Sequence, residues 1–239
     1  ILPKECEAIE AFMDQGCWSN KHYFGEGADG LWRYQLIETD GSKFKIIYDG
    51  SNQTEEATVE WRHSGLHNVT NAIAATMAAH TIGISVNQAC AALSDFIGVK
   101  RRMEVIYSDC NITVYDDFAH HPTAIKTTLE GLRAKVGSEF ILAIIEPRSA
   151  TMRMGVHGHN LASSVLSADQ VIWYQNSSVN WDMADLSQDA SLLCSVVNDL
   201  ETLIEMTRSS IQEKTHIVIM SNGGFEGFHE KLLKSFHHN

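Results

Sequence analysis

Proline is scarce in this chain, with 3 in 239 residues, and no apolar run approaches the roughly 18 residues of a membrane-spanning helix. The N-terminus has no basic-then-apolar secretory segment, so a cytoplasmic location and no membrane partner are expected. Basic residues are outnumbered: 18 Lys+Arg against 30 Asp+Glu give a formal charge of −12. A surface that tracks nucleic-acid phosphates is excluded on that balance, although a local basic cluster can still hold one small anion. The five cysteines are scattered, no CxxC pair occurs, and neither a disulfide framework nor a zinc ribbon is expected. GxxxxGK[ST] and GxSxG are missing, which removes a P-loop and a nucleophile elbow from these residues. Internal repeats and low-complexity tracts are missing too. What remains is an ordinary globular composition, 44% hydrophobic, sufficient for one or two domains.

The first part of the chain reads as a small mixed region. Glu5–Gln15 has helical spacing at Ala8, Ile9, Phe12 and Met13. Strands are expected over Leu31–Glu38 and Lys43–Tyr48, joined by Thr39-Asp40-Gly41-Ser42, where Asp-Gly signals a hairpin turn. A third strand is expected at Ala57–Trp61. The alanine-rich stretch Asn68–Thr81 predicts a helix capped by Asn68 and ended by Gly83. Ser85 caps a second helix reaching to about Phe96. The segment from Gly98 to Arg102 is the expected domain boundary.

Beyond it the pattern alternates. Strands are expected at Met103–Tyr107, Ile112–Asp116, Phe140–Ile145, Gln170–Tyr174 and His216–Met220. Helices are expected at Pro122–Lys135, Gly158–Leu166, Leu192–Ile211, with a break in it, and Phe225–Phe236. This predicts βαβ units and a mostly parallel sheet, with the first two strands able to pair as a hairpin through Ser108–Asn111. Ligands of such sheets sit at the carboxyl ends of the strands. The residues of interest are therefore Asp116–Pro122, Glu146–Thr151, Gln175–Trp181 and Ser221–Phe225.

Each constellation has a structural and a functional reading. Asn68 and Asn71 share a helix face next to His67; they serve capping, or their amides meet a purine edge. Lys100-Arg101-Arg102 is a solvated charge run, or a phosphate site at the hinge. Asp116, Asp117, His120 and His121 fit a metal site, a nucleotide site with a carboxylate on ribose hydroxyls, or turn chemistry with Pro122 at the first helical position. Arg148 and Arg153 follow a buried strand and suit a substrate carboxylate. Gly223-Gly224 lets backbone amides approach a ligand, or makes a tight strand-to-helix turn.

In their order the motifs resemble the Mur ligases, ATP-dependent peptide ligases of bacterial cell-wall synthesis. The residues that carry the resemblance are His67-Asn68-x-x-Asn71 with Ala74-Ala75, Phe96-x-Gly98-x-Lys100-Arg101-Arg102-x-Glu104, and Tyr115-Asp116-Asp117-Phe118-Ala119-His120-His121-Pro122. Glu146-Pro147-Arg148-Ser149, Ser221-Asn222-Gly223-Gly224-Phe225 and Gly16-Cys17-Trp18-Ser19 resemble one branch, which joins the recycled murein tripeptide L-alanyl-γ-D-glutamyl-meso-diaminopimelate to UDP-N-acetylmuramate. The resemblance implies an α/β chain: residues 1–98 as the end of a central ATPase domain, and 99–239 as a C-terminal Rossmann-like domain with a mostly parallel sheet. It implies that Asn68 and Asn71 meet adenine with His67 nearby. It places Arg102 across the cleft at the ATP phosphates, as a stabiliser of the transferring phosphoryl group. Asp117 then holds ribose with His120 and His121 flanking the nucleotide, and Arg148, Ser149, Gly223 and Gly224 hold the incoming peptide. ATP activates a carboxylate as an acyl phosphate, which the peptide amine attacks. The family's P-loop, Mg²⁺ ligands and modified lysine are expected upstream of Ile1, so the chain alone is expected to be inactive. On that reading part of the apolar face of its first region, including Ile73 and Met77, lies uncovered. No general base is named. Two rivals stand beside it: a nucleotide-binding module that does not ligate, and a metal-dependent phosphoesterase using Asp116, Asp117, His120 and His121.

Overall fold

A computed structural model describes residues 1–4, 6–26, 31–51, 53–154, 158–181, 183, 186 and 193–236. The chain divides into two compact units, Ile1–Ile97 and Gly98–Asn239.

Unit 1 contains a five-stranded sheet in sequential order: β1 (Leu2–Pro3), β2 (Tyr23–Glu26), β3 (Trp32–Leu36), β4 (Lys43–Asp49) and β5 (Thr54–Glu60). β3 and β4 form the expected antiparallel pair. Gly41 takes φ +79 in their turn, where a side chain would also run into Val69, and Asp40 accepts from the Ser42 amide and hydroxyl. The short strands β1 and β2 carry too few residues to show an alternation and escape the sequence reading. Helix α1 (Glu7–Met13) covers the expected region but buries none of its residues; Glu5, where the helix was expected to begin, lies outside the described residues.

Helices α2 (Leu66–Thr81) and α3 (Val86–Ser94) pack on the sheet through Val69, Ile73, Met77, Val86 and Cys90. Ser85 makes a full capping box with Gln88. Two expectations are corrected here. The cap of α2 is Gly65 at φ +94, not Asn68. Asn68 already lies in the first turn, and its amide donates to the Ser64 carbonyl at 2.8 Å. Ile73 and Met77 are buried at 0% and 2% exposure because the sheet covers them. The open apolar surface is elsewhere, a groove of ≈ 480 Å³ lined by Ala75, Ala79, Ile84, Leu93 and Phe96.

Unit 2 is an α/β sandwich. Its six-stranded sheet has the order β10-β9-β8-β11-β7-β6, where the strands are β6 (Glu104–Ser108), β7 (Ile112–Asp117), β8 (Phe140–Ile145), β9 (Gln170–Tyr174), β10 (Leu193–Val197) and β11 (Thr215–Met220). All pairs are parallel except the β6–β7 hairpin. Strand side chains alternate between two cores. Ile141, Ala143 and Ile145 of β8 face α4 (Pro122–Val136) and α6 (Gly158–Ser164). Leu142 and Ile144 face α7 (Leu200–Ser209) and α8 (Phe228–Phe236). A short helix α5 (Ala150–Arg153) follows β8, and a single 3₁₀ turn at Phe225–Gly227 precedes α8.

The helix expected at Leu192–Ile211 is corrected: Leu193–Val197 is an edge strand parallel to β9, and only Leu200–Ser209 is helical. Asp199 breaks the two by accepting from the Thr202 amide as the cap of α7. Leu192 lies outside the described residues. Among the described residues no helix is long and apolar enough to cross a membrane.

Candidate functional site

Parallel strands β7, β8 and β11 lie side by side, so the loops after Asp117, Ile145 and Met220 emerge together at their carboxyl ends. The chain leaves β7 and reaches β8 two positions away, and β11 later fills the gap. That reversal of strand order is where open α/β sheets bind ligands.

In the β7 loop, Asp117 is 2% exposed. Its Oδ2 accepts from the Met103 amide and its Oδ1 from the Ala119 amide, both at 2.8 Å. Burial raises its carboxyl above the ordinary range, against the pull of these amides. Asp116 accepts from Arg101 Nε at 3.1 Å and pairs with His229 Nε2 at 3.2 Å. Burial works to raise its carboxyl, but His229 and Arg101 together outweigh it and hold it below the usual range. Such a carboxylate stabilises the fold above its unfolded pKa and loses that contribution as pH falls through the folded one. The urea-midpoint difference between the parent chain and Asp116→Asn should therefore be greatest near neutrality and shrink in acid. A difference independent of pH would remove Asp116 from the ion network.

Arg101 does more than neutralise. Its guanidinium also donates to the Ser221 carbonyl at 2.7 Å and the Gly223 carbonyl at 2.9 Å, and it lies 5.3 Å from the Phe118 ring centre. It thus ties the β7 loop to the β11 loop. Arg101 and Met103 are both left-handed, at φ +58 and +49, in a segment held by Glu104 on the Arg101 amide and Asp117 on the Met103 amide. Arg102 is exposed and also lies over the Phe118 ring, 5.6 Å from its centre.

His121 caps α4 by accepting from the Thr123 amide through Nδ1, with Pro122 at the first helical position. His120 Nδ1 meets the Phe118 carbonyl at 2.8 Å. Ser149 caps α5, and its hydroxyl donates to the His120 carbonyl at 3.4 Å. Arg148 is exposed and lies flat on Gly223, so that any side chain at 223 would collide with the guanidinium. Gly224 faces open space. His67, Asn68 and Asn71 belong to unit 1, at the start of α2; Asn71 is exposed and the other two are half-buried.

The metal reading does not fit. Among the described residues no group of three or more His, Cys, Asp or Glu converges to hold an ion. Asp116 is engaged by Arg101 and His229, and each oxygen of Asp117 takes one backbone amide.

Two participants, His229 and Tyr174, escape the sequence reading, and Glu146 enters it only as part of its loop and motif. Glu146 is 1% exposed, accepts from the Ser221 hydroxyl at 2.5 Å and from Asn176 Nδ2 at 3.1 Å. His229 comes from α8, 113 positions after Asp116. Tyr174 donates to Glu226 at 3.2 Å, and burial, then the Glu226 charge, pushes its phenol up to about 12.

Residues 101–223 match the family model described as Mur ligase, glutamate ligase domain. That stretch spans the α/β unit and the loops at its switch point, and the chain belongs to the Mur ligase family. It is 42% identical over 219 residues to the UDP-N-acetylmuramate–L-alanyl-γ-D-glutamyl-meso-2,6-diaminoheptandioate ligase of Haemophilus influenzae, covering 91% of this chain and 47% of that protein. The protein of the same name from Escherichia coli is 39% identical over 234 residues, 98% of this chain and 50% of its own length. Among solved structures, a murein peptide ligase from Psychrobacter arcticus superposes with a TM-score of 0.75 at 40% identity, over 100% of this chain and 51% of that one. The chain spans about half the length of the relatives it matches.

Proposed function

We propose that this chain supplies the second half of a cytoplasmic, ATP-dependent ligase that joins L-alanyl-γ-D-glutamyl-meso-diaminopimelate to UDP-N-acetylmuramate in peptidoglycan recycling. Residues 1–98 are then the end of its central ATPase domain and 99–239 its C-terminal domain. The observation that carries the reading is the 40% identity, along the whole chain and with a shared fold, to a murein peptide ligase.

The residues at the strand ends suit the chemistry. A carboxylate offers about four lone-pair sites. Asp117 spends two on amides and keeps two for ribose hydroxyls. Arg102, exposed and backed by Phe118, suits a phosphate and would stabilise charge on the transferring phosphoryl group. His120 and His121 flank that loop at the N-terminus of α4, where a helix favours anions. In unit 1, Asn68 and Asn71 suit an adenine edge with His67 beside them. Arg148, Ser149, Gly223 and Gly224 form the seat for the incoming peptide, Arg148 taking a carboxylate by its bidentate fork. ATP supplies the phosphoryl group that activates the carboxylate of UDP-N-acetylmuramate, and the peptide amine displaces it. The P-loop and Mg²⁺ ligands are not assigned to this chain.

The test is a chimera in which this chain replaces the corresponding half of the Haemophilus influenzae relative. It should form the ligated product and ADP only when UDP-N-acetylmuramate, tripeptide and ATP are all present. This chain alone should form none. A folded chimera that binds ATP without ligating would favour a non-ligating nucleotide module instead.

A further inference from the structure

Glu146 is a carboxylate placed where an apolar side chain would cost less, since burying a charge is unfavourable unless partners repay it. Its side-chain partners are Ser221, after β11, and Asn176, after β9. The Ser221 hydroxyl gives its only hydrogen to Glu146 Oε2 at 2.5 Å, a charge-assisted bond. With that hydrogen committed, the hydroxyl oxygen turns a lone pair to the Gly223 amide, 3.0 Å away. Asn176, at the end of β9, holds the other carboxylate oxygen at 3.1 Å and keeps the group from swinging. Arg101 donates to the Ser221 and Gly223 carbonyls. Gly223 is therefore gripped by its amide and its carbonyl at once. Its bare α-carbon is the surface on which the Arg148 guanidinium lies.

We infer that Glu146 is the positioning residue for Arg148: buried and out of reach of substrate, it fixes Ser221, Ser221 fixes Gly223, and Gly223 seats the guanidinium that takes a carboxylate of the incoming peptide. The inference rests on the proposed peptide role of Arg148. Position 223 has no positive φ, and a side chain there would displace the guanidinium from its place above the α-carbon.

The active chimera tests it, with KM measured separately for tripeptide and ATP. Arg148→Ala should raise the tripeptide KM about 10–100-fold, the value of a hydrogen bond to a charged group. Glu146→Gln should raise it about 5–20-fold by letting the Ser221 hydroxyl rotate, with the ATP KM within about 2-fold of the parent. The double variant should be no worse than Arg148→Ala alone, because the first residue acts only through the second. Ser221→Ala, which deletes one oxygen of the relay, should reproduce the Glu146→Gln result and serves if that variant does not fold. A tripeptide KM indifferent to Arg148→Ala would overturn the peptide role itself. A clear Arg148 effect with no Glu146 effect, with additive losses, or with ATP KM rising in step, would overturn the positioning relay and leave the peptide role standing. Failure of both relay variants to fold would also overturn it, by showing that the network holds the domain together instead.

Discussion

Arg101→Ala should destabilise unit 2 by about 2–4 kcal/mol, the scale for removing one member of a partly buried ionic network and orphaning its acceptors. The guanidinium reaches Asp116 and two carbonyls of the β11 loop, so its loss leaves a half-paired carboxylate and unbinds two strand ends at once. Left-handed strain at φ +58 is the same for alanine as for arginine and cancels in the comparison. Arg101→Lys should recover little, because one ammonium on a flexible stem cannot span three acceptors that a planar fork reaches together. Hydrogen exchange read on peptides of β7, β8 and β11 reports the loss for unit 2 alone. A change below about 0.5 kcal/mol, the range of an ordinary surface substitution, would mean the crosslink contributes nothing.

The second large effect is expected at Asp117. Viewed only as a ribose ligand, Asp117→Asn would be a nearly silent change to the fold. The geometry says otherwise. Both carboxylate oxygens accept backbone amides, and asparagine must turn its NH₂ against either Met103 or Ala119. One buried N–H then loses its partner and meets another donor, at a cost of about 1–3 kcal/mol. Relief of the buried charge, which already raises this carboxyl, offsets part of that. Because the Met103 amide belongs to the left-handed 101–103 segment, the damage should spread to Arg102, and the ATP KM of the chimera should rise about 10–100-fold with it. Urea unfolding alongside kinetics separates the two consequences. An unchanged ATP KM in a destabilised variant would assign Asp117 to the backbone alone.

These two residues show where sequence reading reaches its limit. The Asp40-Gly41 hairpin, the β6–β7 hairpin and the alternation of strand with helix are local patterns, and they are legible because turn chemistry and side-chain period act over a few residues. The strand at Leu193–Val197 escapes the sequence reading because five residues, Leu-Cys-Ser-Val-Val, are too few to show a period of their own. Asn68 was misread as a cap because a glycine three positions earlier, free to adopt positive φ, starts the helix sooner. The loops at the strand ends could be picked out by their residues. Their wiring could not: Glu146 finds Ser221 from 75 positions away only because β11 lies beside β8, and strand order is not written in any local window.

That strand order governs how the domain comes into being. β11 follows β8, β9 and β10 in sequence, yet it is the strand between β7 and β8. While the polypeptide is being synthesised, β7 with its hairpin partner and β8 with β9 and β10 can each assemble, but each keeps an open edge facing the other. Only when β11 arrives does one strand close both edges. Non-local closure of this kind is slow and leaves sticky edges exposed meanwhile. The three loops at the switch point therefore acquire their mutual geometry in a single event, the docking of β11, and a domain that lacks that strand is two half-sheets rather than one weakened sheet.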